Sequence, residues 1–340
     1  MRKKMLGKIT TLPFILILLL LSSCSSDDSS EDLVGNWVNR FSFEGKARSY
    51  AVAFTIGDKA YVISGYDGDE RVRLQDTWAF DPTNNSWLKK ANFPGVGRTS
   101  AIGFSVNGKG YIGSGYDGST KLKDFWEYDP TADTWSQKSD FGGSARYGSV
   151  AFSVGGKGYV LGGYDGNYLK DLWEYDPTSN TWTPKTSLPG NKRFNAMSFV
   201  IDNIAYVVGG NNNGTYIADF WSYDASNDTW KNKRDVADNS DDSYDDDYGT
   251  IARQNAVTFV INGMGYLATG DYGGLTNSVW EYDPTTDLWN DKTLFEGSGR
   301  DNAIGFTVQN RGFVLLGKSS SLYFDDVWEF QPFAEYDEND

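Results

Sequence analysis

RYGSVAFSVGGKGYVLGGYDGNYLKDLWEYDPTSNTWTPK, residues 146–185, holds one complete copy of the pattern that decides the fold. It opens on Arg146, reaches Tyr159 thirteen residues later and Gly163 four after that, then places Trp173 and, nine residues on, Trp182. Four short strands read out of it. Alternating small and apolar residues make the first, and a Gly-Lys turn leads to the second at Tyr159. The third carries Trp173. Asp176-Pro177-Thr178, with Pro suited to the second position of a β-turn, then reverses the chain into a fourth strand at Trp182.

The pattern recurs six times. Arg48, Arg98, Arg146, Arg193, Arg253 and Arg300 open the copies at steps of 50, 48, 47, 60 and 47 residues. Tyr61, Tyr111, Tyr159, Tyr206, Tyr266 and Phe313 follow at a constant distance, then Gly65, Gly115, Gly163, Gly210, Gly270 and Gly317. The first Trp stands at 78, 126, 173, 221, 280 and 328, and the second at 87, 135, 182, 230 and 289. A four-stranded unit of about fifty residues repeated in tandem predicts an all-β propeller of six blades, with four antiparallel strands per blade.

Arg at the entry, Tyr-Val-x-x-Gly, a Tyr-Asp-Gly turn, Trp-x-Tyr-Asp-Pro and a final Trp resemble the kelch repeat from Trp37 to about Pro332. The pattern departs from that family in completing Gly-Gly only at Gly162-Gly163 and Gly209-Gly210, with Ser64, Ser114, Thr269 and Leu316 in the first position elsewhere. Eleven residues separate most second Trp residues from the next Arg, and the same eleven separate Trp37 from Arg48. The last copy has no second Trp. The strand around Gly35 to Val38 is therefore expected to complete the final blade and close the ring, which removes the open edges of a linear array.

Composition agrees with this reading and narrows the chemistry. The 340 residues are 39% hydrophobic and 23% charged, with 38 Gly, 9 Pro and 16% aromatics, which favours strands and tight turns over long helices. The chain has no His, which excludes His-dependent triads, His-zinc sites and the copper chemistry of galactose oxidases, to whose kelch group the repeats bear a distant resemblance. Its net charge of −15 argues against nucleic acid as a partner.

The N-terminus reads as an address. Met1 to Lys8 is basic, Leu12 to Leu21 is an apolar run of ten residues too short to span a bilayer as a helix, and Leu21-Ser22-Ser23-Cys24 resembles the lipobox of bacterial lipoproteins. Residues 1–23 are read as a signal peptide, Cys24 as the lipidated residue, 24–34 as an acidic tether, 35–333 as the propeller and 334–340 as an acidic tail. The expected location is the outer membrane, on the cell surface or the periplasmic face. The acidic run after Cys24 looks like the surface-export signal of Bacteroidota lipoproteins, with a plain flexible linker as the alternative.

In an up-and-down blade the six Arg, the Tyr-Asp-Gly turns and the one long insertion fall on the same face. By resemblance to kelch proteins, strand one lines the central channel and gathers the Arg near its mouth. Two readings stand. The guanidinium groups are a positive focus for an acidic sugar or peptide, or each is pinned by carbonyls or a neighbouring acid and holds blade to blade. The insertion, Asp238 to Tyr248, is either a solvated acidic loop or a Ca²⁺ site, although its order does not match an EF-hand, and Tyr244 and Tyr248 offer stacking surface. The repeated Trp and Tyr are assigned to packing.

The expected function is a membrane-anchored, noncatalytic recognition module for a glycan or protein ligand, acidic in character. It is expected to be monomeric, with no cofactor other than the Ca²⁺ alternative and no metal site. The alternatives are a metal-free enzyme resembling sialate mutarotases and a structural subunit of an envelope complex.

Overall fold

The structure, a computed structural model, describes residues 34–337; Cys24, the segment read as signal, residues 24–33 of the tether and 338–340 of the tail lie outside the described residues. Six four-stranded antiparallel sheets form the blades. Blade 1 comprises Val52–Ile56, Lys59–Ile63, Thr77–Asp81 and Ser86–Lys90, and blades 2 to 5 repeat this meander with innermost strands Ile102–Val106, Val150–Val154, Met197–Ile201 and Val257–Ile261. The innermost strand of each blade neighbours that of the next, and Ile304–Val308 of blade 6 returns to Val52–Ile56.

Blade 6 takes its outer strand from the other end of the chain, as the Trp spacing predicts. Asn36–Ser42 pairs antiparallel with Asp326–Gln331, with Trp37 opposite Phe330. Trp37 is fully buried, lies edge-on to Phe295 at 4.9 Å, and donates its indole N–H to the Thr293 carbonyl at 3.3 Å. Arg40 of the same strand donates to the buried Glu329 at 2.6 Å, which also accepts two bonds from Arg311. Truncating a Trp packed in this way costs about 3–5 kcal/mol, so this contact alone is a large share of what holds the ring shut.

The core lies between blades. Six apolar clusters each join two neighbours, including one that unites Val62, Phe80 and Trp87 of blade 1 with Phe306 and Phe313 of blade 6. Alternation explains why: in Val150–Val154, residues 150, 152 and 154 are buried in the cluster shared with blade 4, while the half-buried Ala151 packs against the cluster shared with blade 2, as period two requires. The wedge also dictates a glycine. A Cβ on Gly110 would sit 2.1 Å from the Phe54 ring of the preceding blade, so only hydrogen fits there.

The departures from Gly-Gly leave the backbone unchanged. Ser64, Ser114, Thr269 and Leu316 take φ between 54° and 62°, beside 63° at Gly162 and Gly209. The two faces of the disc differ accordingly. One carries only tight turns such as Gly57-Asp58 and the Asp-Pro-Thr reversals, while the other carries the longer connections after the second and fourth strands.

Candidate functional site

The six entry arginines lie inside the protein. Each is 0–2% exposed, and its terminal Nη1 donates to the carbonyl sixteen residues on: Ser64, Ser114, Gly162, Gly209, Thr269 and Leu316. Five meet a carboxylate two residues before the first Trp. Arg98 grips Asp124 through two bonds of 2.7 Å, Arg48 grips Asp76 at 2.5 and 2.8 Å, Arg146 grips Asp171 at 2.6 and 2.9 Å, Arg300 grips Asp326, and Arg193 pairs with Asp219. Phe93, Phe141 and Phe295 lie under Arg98, Arg146 and Arg300 with ring centres 4.8–4.9 Å away. The backbone carbonyl of each Arg accepts from the repeat Gly of the preceding blade, ending with Gly317 on Arg48. These contacts tie each blade to its neighbour, and they leave the guanidinium groups enclosed rather than at the channel.

Blade 5 departs from this plan. Ser278 stands where the others have Asp, and Arg253 donates to the carbonyls of Thr250, Thr269 and Ser278 and to the hydroxyls of Ser278 and Thr250. Trp280 likewise donates to the Thr250 hydroxyl at 3.0 Å, where Trp78, Trp126, Trp173 and Trp328 donate to the Asp. Two hydroxyls 2.8 Å apart thus take the place of two carboxylate oxygens. Without a counter-charge, burial pulls the Arg253 guanidinium down to about 9.

The inserted loop precedes this clasp and delivers Thr250 to it. Tyr248 is buried and accepts the Trp289 N–H at 2.7 Å, while Tyr244 is half-buried against Tyr248 with the Arg234 guanidinium 4.6 Å from its ring centre. The Asp238, Asp245 and Asp246 carboxylates offer oxygens within 4.8 Å of one another. Burial alone would raise the Asp245 carboxyl, but hydrogen bonds from Ser240 and Asn239 outweigh it and hold it low, so the loop's own donors already occupy this group.

The mouth of the channel is built two residues past each Arg. Tyr50, Ser100, Gly148, Asn195, Asn255 and Asn302 all take φ between 50° and 63°. Their backbones form a run of five hydrogen bonds around the mouth: Gly148 donates to Ser100, Asn195 to Gly148, Asn255 to Asn195, Asn302 to Asn255 and Tyr50 to Asn302, at 2.8–3.2 Å. Together with a collar of Ala51, Ala101, Ser149, Ala196, Ala256 and Ala303 they line a cavity of ≈ 180 Å³. Gly and Asn suit the left-handed region, whereas a Tyr there costs about 1–3 kcal/mol and marks Tyr50 as the exception.

A second tier frames the mouth, where the residue after each Arg bridges the residue after each repeat Gly. In blades 1 to 4 the pairs are Ser49 with Tyr66, Thr99 with Tyr116, Tyr147 with Tyr164 and Phe194 with Asn211. They form an aromatic arc in which Tyr147 lies 5.5 Å from Tyr116 and 5.3 Å from Phe194, with Arg73 between Tyr66 and Tyr116. In blades 5 and 6 the pairs are Gln254 with Asp271 and Asp301 with Lys318. Burial raises the Asp301 carboxyl, Lys318 opposes this from 3.8 Å, and Asp271 adds to it. Burial, Asp301 and Tyr323 push the Tyr50 phenol up to about 12.

These mouth residues escape a search for recurring motifs because they change from blade to blade. The signal available was the alignment itself: five of the residues two past Arg are Asn, Ser or Gly, and one is Tyr.

Comparison with known proteins agrees with this architecture. Residues 139–241 match the KLHDC2/KLHL20/DRC7 Kelch-repeats domain, and residues 47–94 match the Kelch motif. No curated protein matches the chain. Among solved structures, that of YjhT is similar with a TM-score of 0.69 at 15% identity, over 84% of this chain and 95% of its own. Repeat, blade order and ring closure together make this chain a six-bladed β-propeller of the kelch type.

Proposed function

We propose that the propeller is a recognition module that takes a glycan, or a segment of another protein, at the channel mouth on its long-loop face. The observation that carries this reading is the mouth tier itself. Where the frame repeats one residue six times, the mouth presents Tyr50, Ser100, Gly148, Asn195, Asn255 and Asn302 around one cavity, framed by an aromatic arc. A concave site with amide and hydroxyl groups converging beside aromatic faces suits a polyhydroxylated ligand. The expectation of an acidic ligand drew on the six guanidinium groups, and their enclosure removes its basis.

The lipobox-like Leu21-Ser22-Ser23-Cys24 supports an extension of the proposal, that Cys24 tethers the module to the outer membrane. Mass spectrometry of the N-terminal fragment from native membranes is expected to find a diacylglyceryl Cys24, and an unmodified thiol there would contradict the tether.

Melting of the full chain against neutral, acidic and basic saccharides and peptides tests the recognition reading, since a ligand of the folded state raises the transition. A ligand-dependent rise that Tyr50→Ala abolishes supports the mouth. A rise that Tyr50→Ala leaves intact places the ligand elsewhere, and no rise with any compound favours a purely structural role.

A further inference from the structure

Within the framing pairs the charge is one-sided. Of the twelve residues in the framing pairs, the ionisable acids and bases are Asp271, Asp301 and Lys318, all in blades 5 and 6. Lys318 stands 3.8 Å from an Asp301 oxygen, and the side chain of Asp301 keeps 16% of its surface exposed. Its other oxygen accepts from Asn302, itself a mouth residue. Asp271 accepts from Gln254 at 2.9 Å and from the Tyr216 hydroxyl at 3.2 Å, both neutral. One cation therefore stands beside two carboxylates, and it pairs with Asp301. The inserted loop on the same face adds six Asp between 238 and 247, preceded by Asp235, Lys233 and Arg234. The field over this half of the mouth attracts positive charge, and the long-loop cations Arg73 and Lys121 lie over the aromatic rings of blades 1 to 3.

The neutral groups of the cavity add the second half. Asn195, Asn255 and Asn302 supply amides that both donate and accept, Ser100 supplies a hydroxyl, and Tyr50 supplies a ring face and a phenol that stays protonated at neutral pH. A volume of ≈ 180 Å³ is below the roughly 300–1,000 Å³ of pockets for drug-sized ligands, which fits a single sugar ring.

Resting on the recognition reading above, we propose that the ligand group seated in the mouth is an amino sugar with a free, protonated amine. Its ring lies in the cavity of Tyr50, Asn195, Asn255 and Asn302, and its ammonium lies on the blade 5 and 6 side, beside Asp301 and Asp271. A uronic or sialic acid would meet those carboxylates with like charge, because the cation on that side, Lys318, is already paired with Asp301 and Arg73 lies across the mouth over Tyr66 and Tyr116.

Three sugars separate the charge from the ring. The full chain is titrated by calorimetry with glucosamine, N-acetylglucosamine and glucuronic acid. Glucosamine is expected to bind at least tenfold more tightly than the other two, with a preference that weakens as NaCl is raised. Asp301→Asn and Asp271→Asn are each expected to cut glucosamine affinity about tenfold while sparing N-acetylglucosamine, which shows the variants remain folded and competent. Asp58→Asn, in a tight turn of the opposite face, is expected to change nothing. Equal or tighter binding of N-acetylglucosamine or glucuronic acid overturns the charge assignment and leaves the recognition reading standing. Glucosamine binding that both Asn variants leave intact overturns the location. Absence of binding by all three overturns the inference, and the wider panel then decides the recognition reading separately.

Discussion

Five blades clasp their entry arginine with a carboxylate, and blade 5 clasps Arg253 with the hydroxyls of Ser278 and Thr250. The guanidinium is equally buried in both arrangements, and it makes the same bond to the carbonyl sixteen residues on. What differs is the electrostatic partner. This position therefore needs a fan of donors held between strands more than it needs an ion pair, because neutral acceptors complete the clasp. The insertion also gains a structural role, since lengthening the connection brings Thr250, three residues before Arg253, to the place where the other blades use an Asp oxygen.

The largest expected effect comes from removing the arginine. Arg98→Met strands Asp124, a carboxylate only 24% exposed, and is expected to cost about 3–5 kcal/mol in denaturant unfolding. Arg253→Met strands only neutral oxygens and is expected to cost about 1–3 kcal/mol. Equal losses in the two variants would show that the acid adds nothing.

A smaller effect follows from acid. Burial alone would raise the Asp76 and Asp124 carboxyls, but the bonds from Arg48 and Arg98, with the indole N–H groups of Trp78 and Trp126, outweigh it and leave both below the ordinary carboxylate value. Because the folded values are depressed, their stabilisation is fully present above the unfolded value of about 4 and is lost as pH falls through the folded values. Hydrogen exchange followed from pH 7 to pH 3 is expected to show blades 1 and 2 losing more protection than blade 5. A uniform loss around the ring would contradict the difference between clasps. The smallest effect belongs to Ser278→Asp, which supplies the missing acid beside Arg253 and is expected to raise stability by about 1 kcal/mol. A fall instead would show that Thr250 already fills the space.

The frame was legible in the sequence because it repeats. Arg, Gly and two Trp at fixed spacing specify blade number and strand order, and the Trp37 spacing specifies how the ring closes. The same repetition drew attention to the six arginines as ligand contacts, while the structure encloses all of them. A residue needed once per blade answers to the geometry that recurs in every blade, whereas a ligand meets the ring once and needs positions that vary. Tyr50, Asp271, Asp301 and the three mouth Asn occupy such positions, and a search for constancy passes over them. Ser278 breaks the Asp-x-Trp pattern in plain sight, but its partnership with Thr250 depends on the path of the inserted loop, which spacing does not specify.

The proposed division between an enclosed cationic frame and a working mouth is tested most directly by hydrogen exchange on the full chain, with and without a saturating glucosamine tetrasaccharide. Added protection is expected at residues 50–51, 195–196, 255–256 and 301–303, with none at the tight turns of the opposite face. Protection confined to those tight turns or to residues 238–248, or an unchanged mouth, would contradict it.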